Sequence, residues 1–164
     1  MELTKYHLED LLLAAIKSEV ESKNCYTKLA VIIKNALIKD KLLFLAKEEE
    51  NHQRFIENIY TKRFPGKKLI LPKKTPIPLP GILSLDENTP LSKVLQSAMN
   101  AEQSAHEFYK SLAQRFTDDS SAKNMLMYFA DMELQHYKIL EIEKQSMERF
   151  EEADIYWPMV HAGP

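Results

Sequence analysis

Four glutamates and two histidines stand at positions of this sequence where the helical pattern asks for apolar residues, and their spacing is that of a metal cage. Glu49 and His52 are three apart, as are Glu133 and His136, and these pairs follow 30 residues after Glu19 and 31 residues after Glu102. On a helix, positions i and i+3 share a face, so a carboxylate and an imidazole at that spacing can ligate one ion. Oxygen-rich donors with one imidazole per ion suit iron or manganese better than copper or a thiolate-loving metal. Zinc competes for such a site in a purified sample, because intrinsic affinity often favours it over ferrous iron.

The two halves of the chain repeat the arrangement. Glu19, Tyr26 and Leu29-Ala30 match Glu102, Tyr109 and Leu112-Ala113 at an offset of 83, and Ala46, Glu49 and His52 match Ala130, Glu133 and His136 at an offset of 84. Between these blocks the second half gains one residue, in the turn of its hairpin. Such a repeat relates the halves by an approximate two-fold axis and brings four carboxylates and two imidazoles together at mid-bundle. Six unpaired ionisable groups in a dry core would cost far more than the net stability of a domain. Two divalent cations compensate the four carboxylate charges, so metal accounts for the burial.

The elements that must position these residues are four helices, expected over about 4–36, 38–63, 89–117 and 121–147. Leu8, Leu12, Ala15, Tyr26, Leu29 and Ile33 keep a spacing of three or four, and Glu19 falls in their row. Leu42, Leu45, Ala46, Ile56 and Ile59 form the second row, interrupted by Glu49 and His52. The third row, Leu91, Leu95, Ala98, Ala105, Leu112 and Phe116, includes Glu102 and Tyr109, and begins at a Thr89-Pro90 start signal. Leu126, Phe129, Ala130, Tyr137 and Leu140 carry the fourth helix after the cap-rich turn at residues 118–121, and Glu133 and His136 interrupt them. Residues 64–88 hold Pro65, Pro72, Pro76, Pro78 and Pro80 with Gly66 and Gly81, so no helix crosses them. The expectation is an all-α bundle of two repeated hairpins over residues 1–150, joined by a long Pro-rich crossover. A tail over 151–164, with Trp157-Pro158, reads as irregular and suited to cover a helix end or a partner subunit.

With 164 residues the chain suits one domain with a real core. A net charge of -2, from 22 basic and 24 acidic side chains scattered along the sequence, leaves no footprint for nucleic acid or an anionic membrane. No run approaches ~18 apolar residues and the N-terminus has no secretory pattern, so a cytoplasmic setting is expected. Cys25 is the only cysteine, which excludes an internal disulfide and a four-thiolate centre. It reads as a small packed residue.

On residues 15–26, 46–52, 98–109 and 130–136 the sequence resembles the rubrerythrin-like branch of the ferritin-like di-iron carboxylate superfamily. One Glu-x-x-His is common by chance; two, each preceded by a glutamate with a tyrosine seven residues on, are specific. The resemblance implies a ferritin-like four-helix bundle holding two non-haem iron ions, bridged by Glu49 and Glu133. Glu19 and Glu102 would be terminal ligands, and His52 and His136 would each hold one iron. Tyr26 and Tyr109 would donate hydrogen bonds to the glutamates. It further implies a homodimer and reduction of hydrogen peroxide or dioxygen in oxidative-stress defence. Two features depart from the family pattern. The rubredoxin-like four-cysteine centre is missing, so electrons would come from a separate donor such as a rubredoxin. Ala105 stands where typical members carry an additional glutamate, and His106, four residues after Glu102, is a candidate to substitute in part.

Ferroxidase or iron-handling chemistry, and oxygenation of an organic substrate, use the same ligand set and are the alternative functions. Other polar residues have plainer readings. Glu21, Glu48, Glu50 and Asp131 lie off the stripe and read as solvated, and His106 reads as a polar residue at a helix flank, with ligation as the sharper alternative. Lys67-Lys68 and Lys73-Lys74 read as a solvated loop, or as a docking surface for an acidic electron donor.

Overall fold

The computed structural model describes residues 2–33, 35–74, 77, 79, 80, 82 and 90–156, with side chains through residue 149. Its elements are α1 (Leu8–Ile32), α2 (Ala36–Arg63), α3 (Leu91–Ala113) and α4 (Ser120–Tyr156). Among the described residues there is no strand, and the all-α, four-helix expectation holds. The helices pack mainly as two hairpins, α1 on α2 and α3 on α4, and the hairpins also meet where α2 lies against α4.

Helix ends are set by local chemistry that periodicity does not see. Residues 4–6 form a turn, with the Tyr6 amide bonded to the Leu3 carbonyl at 3.2 Å, so α1 starts four residues later than expected. Glu9 and Asp10 then place negative charge in its first turn, where the helix dipole favours it. Asn35 ends the α1–α2 connection: its side-chain oxygen accepts from the amides of Leu37 (3.0 Å) and Ile38 (3.3 Å), which starts α2 at Ala36. After Arg63 the chain makes a turn over residues 64–67, closed by the Lys67 amide on the Phe64 carbonyl at 3.1 Å. Pro65 supplies its fixed φ, and Gly66 at φ 82° supplies the left-handed position the turn requires.

Thr89 lies outside the described residues, and Pro90 is the N-cap of α3 without a side-chain cap bond. That helix ends at Ala113, short of the expected 117, because Arg115 and Phe116 fold into a turn. There the Arg115 guanidinium donates to the Leu3 and Tyr6 carbonyls at 2.7 and 3.2 Å, tying this turn to the N-terminus. Asp119 caps α4 through the Ala122 amide at 3.0 Å. The helix runs on to Tyr156, beyond the expected 147, so residues 151–156 are helical rather than irregular. Trp157-Pro158 and the rest of the tail lie outside the described residues, as do Pro76, Pro78 and Gly81 of the crossover.

Two hydrophobic clusters fill the bundle. The first takes Leu11 to Ile16 from α1, Ile56 to Tyr60 from α2, Phe108 to Ala113 from α3 and Ala122 to Ala130 from α4. The second takes Tyr26 to Ala30, Ile38 to Ala46, Val94 to Met99 and Leu140. In every helix the expected ligands fall between the two stretches, so the ionisable residues form one layer with an apolar plug on either side. From the connector, Ile77 is buried in the first cluster, with Leu69, Leu71 and Leu79 packed against it.

Candidate metal centre

All six expected residues meet in that layer. Glu19, Glu49, His52 and Glu133 offer ligand atoms within 4.8 Å of one another, and so do Glu49, Glu102, Glu133 and His136. Glu49 and Glu133 belong to both groups, which is the placement a bridging carboxylate needs. Each of the six is only 1–2% exposed. The Nδ1 atoms of both imidazoles face the carboxylates. His52 Nδ1 lies 3.1 Å from Glu133 and 3.6 Å from both Glu19 and Glu49. For His136 the distances are 3.1 Å to Glu133, 3.2 Å to Glu49 and 3.7 Å to Glu102.

The layer is short of hydrogen bonds. Glu19 Oε2, Glu49 Oε1, Glu133 Oε1, both ring nitrogens of His52 and Nε2 of His136 are buried without a hydrogen-bond partner. Orphaned buried polar atoms are rare because each forfeits its hydration. Here nearly all are potential ligands of one small volume, and cations would satisfy them together. The residues therefore fit a metal centre, with Glu19 and His52 at one end, Glu102 and His136 at the other, and Glu49 and Glu133 between.

Electrostatics point the same way. Burial raises the Glu19 carboxyl well above its ordinary value, helped by the charge of Glu49; burial and the charges of Glu49 and Glu133 do the same to Glu102. Burial would also raise Glu49, but its close polar neighbours Glu19, His136 and His52 outweigh that and hold it low. Glu133 is held low against burial and the charge of Glu49 by His136, His52 and Glu102. For His52, burial favours the neutral ring, yet Glu133, Glu19 and Glu49 push it up to about 12, and His136 rises similarly through Glu102, Glu133 and Glu49. Glu19, Glu102 and both imidazoles are thus shifted toward their protonated forms, and Glu49 and Glu133 toward their ionised ones. Divalent ions binding there would displace protons.

Tyr26 donates its hydroxyl to Glu102, and Tyr109 donates to Glu19. Both phenols are fully buried, and burial together with the accepting carboxylate raises them well above the usual phenol range, so they remain donors. His106 takes no part in either ligand group. It is buried, and its Nδ1 lies 2.6 Å from the Ala130 carbonyl oxygen, which fixes α3 to α4 one turn from Glu133. Cys25 is half-buried and burial pushes its thiol up to about 11, consistent with a packed, unreactive side chain. Glu21 and Asp131 are exposed and Glu48 and Glu50 partly so, while Lys67 of the basic connector pairs with Glu9 at 2.6 Å.

Two relationships escaped the sequence reading. Glu143, one helical row beyond His136 and Leu140, is buried and paired with Lys41 of α2. Its place in the row of site-facing residues was the available signal. Phe129 lies against the His52 ring, with centroids 4.1 Å apart, and the row alone did not show which partner that core aromatic would meet.

Comparison with known proteins agrees with the four-helix fold. The family model for rubrerythrin matches residues 10–149. A solved structure of a hypothetical protein from Pyrococcus furiosus is similar, with a TM-score of 0.80 and 31% sequence identity over 91% of this chain and 95% of that one. Among curated proteins no match was found.

Proposed function

The chain belongs to the rubrerythrin family, and from that premise we propose that it is a non-haem di-iron oxidoreductase that reduces hydrogen peroxide, or dioxygen, with electrons from a separate donor. The observation that carries this reading is the buried layer of four carboxylates and two imidazoles whose orphaned atoms converge in two overlapping groups. Iron bound there would supply two electrons, one from each ferrous ion, and polarise the oxygen–oxygen bond. Peroxide reduction to two waters consumes those two electrons and two protons.

The chain's own contribution is positional. Glu49 and Glu133, shared by both groups, would hold both ions. Tyr26 and Tyr109 hold Glu102 and Glu19 from the opposite hairpin, fixing the orientation of the end carboxylates. The apolar clusters on both sides exclude bulk water from the layer. A cleft of about 280 Å³ on the outer side of α1, bounded by Lys17, Ser18, Lys74 and Pro80 among others, is lined by none of the six residues. It therefore gives no support to the oxygenase alternative.

The same reading carries a homodimer, a donor such as a rubredoxin and a cytoplasmic setting; among the described residues no helix is long and apolar enough to cross a membrane. The test is anaerobic reconstitution with ferrous ion followed by separate additions of peroxide and dioxygen, with metal counted per chain and ferric absorption followed in time. Rapid oxidation by peroxide and slow oxidation by dioxygen supports peroxide reduction, and the reverse order supports ferroxidase chemistry. Full peroxidase activity in a metal-free Glu49→Ala protein refutes the proposal.

A further inference from the structure

We infer that the two ends of the cage are unequal: the end formed by Glu19 and His52 holds its metal ion tightly, and the end formed by Glu102 and His136 is the one that exchanges. This rests on the metal reading above and extends it to the surroundings of each ion, which the two-fold repeat would otherwise make alike.

The distances within the ligand layer are close to symmetrical, each Nδ1 lying 3.1–3.7 Å from three carboxylates, but only His136 Nδ1 is hydrogen-bonded, to Glu133 at 3.1 Å. What breaks the symmetry is the packing outside it. The face of Phe129 lies on the His52 ring at 4.1 Å between centroids and 35° between planes, and Phe55 braces Phe129 edge-on at 5.2 Å. Tyr109 meets the same imidazole edge-on at 6.4 Å while its hydroxyl holds Glu19, so one aromatic group orients both ligands of that end.

The repeat shows what the other end has instead. Applying the same offsets, Phe129 corresponds to Leu45, Phe55 to Ile139 and Phe108 to Cys25. Three aromatic rings at the His52 end are thus three smaller residues at the His136 end. Among the described residues the one ring neighbour of His136 is His52 itself, at 5.8 Å. The wall differs in polarity too. Glu143, beyond His136 on α4, corresponds to the buried Ile59 at the other end, and its partner Lys41 is 46% exposed. The His52 ring is oriented by aromatic packing that an arriving ion leaves intact, whereas His136 is held through its Nδ1 bond to Glu133 at 3.1 Å, which an ion taking both atoms has to displace.

Titration of the metal-free full chain under anaerobic conditions tests this, with ferrous ion followed by calorimetry and cobaltous ion followed by visible absorption. The expected result is two steps of one ion per chain, with dissociation constants separated by about tenfold or more. His136→Ala should lose the weak step and keep the tight one, and His52→Ala should lose the tight one. Phe129→Leu, which makes the His52 end resemble its counterpart, should weaken the tight step by about tenfold and bring the two together. Two equal steps, or loss of the weak step in His52→Ala, overturns the inequality while leaving the metal centre intact. A chain that binds neither ion overturns the metal reading itself and this inference with it. Thermal unfolding reports whether Phe129→Leu is folded; if it is not, the two histidine variants decide the assignment.

Discussion

Tyr26 on α1 donates its hydroxyl to Glu102 on α3. The repeat returns the bond, Tyr109 on α3 donating to Glu19 on α1, so each hairpin orients the end carboxylate of the other. Neither tyrosine belongs to a ligand group, and each acts by fixing which way a glutamate points. Tyr26→Phe and Tyr109→Phe should therefore each lower metal affinity by about tenfold while leaving the helical fold in place. Ferrous titration alongside circular dichroism checks this, and unchanged affinity in both variants would show that packing alone positions the glutamates.

The protons held by the layer predict how metal binding responds to pH. Glu19 and Glu102 are raised above 4.5, so their contribution to stability in the metal-free protein is complete below that value and is lost as pH rises. His52, raised from 6.5 to about 12, contributes fully below 6.5 and loses its contribution as pH climbs toward 12. Glu49 and Glu133 are lowered, and their contribution is present above 4.5 and lost as pH falls. The metal-free protein accordingly weakens toward alkaline pH. A loaded protein would have exchanged protons for cations and would not. The gap in melting temperature between loaded and chelator-treated protein should widen from pH 6 to pH 9, with protons released on binding. A gap that narrows over this range would contradict the proton inventory.

The ligand layer was legible because its residues violate a pattern. Glu19, Glu49, Glu102 and Glu133 sit in apolar rows, and a violation repeated at a fixed offset has few explanations besides a shared site. The hairpins were legible for the same reason, since rows at a spacing of three or four need only one face to be buried. Helix ends were harder, because they depend on single side-chain bonds: the Asn35 side chain caps the start of α2, and the Arg115 bonds to the N-terminal carbonyls accompany the end of α3 at Ala113. The lateral partners of Phe129 and Glu143 depend on which helices become neighbours and at what rotation. Periodicity gives the inward face of a helix without naming what lies across from it.

Asn35 is the most economical test of that account of helix boundaries. Its side-chain oxygen satisfies two amides that the first turn of α2 leaves free, while the residue itself is exposed. Asn35→Ala should destabilise the protein by about 1 kcal/mol, and Asn35→Asp should restore most of the loss because a carboxylate accepts the same bonds. Denaturant unfolding of the three proteins decides it. Equal stability of Asn35→Ala and the parent would mean that water replaces the cap at no cost.

The Lys41–Glu143 pair separates charge compensation from packing. Glu143 is 4% exposed and Lys41 reaches it from a half-exposed position, so removing the lysine leaves a buried carboxylate without its ion-pair partner. Lys41→Met should therefore destabilise the fold by about 2 kcal/mol, less than the loss from breaking a fully buried pair because solvent reaches one partner. Adding Glu143→Leu removes the uncompensated group and should recover most of that loss, since an ion pair replaced on both sides by apolar residues of similar volume is often neutral. The corresponding position of the first hairpin is already apolar, Ile59 within the other cluster, so the surrounding architecture accommodates a hydrophobic residue there. A double variant no more stable than Lys41→Met would instead mean that the Glu143 carboxylate contributes to the fold through a partner other than the lysine, and metal titration of both variants would then show whether that contribution reaches the His136 end of the cage.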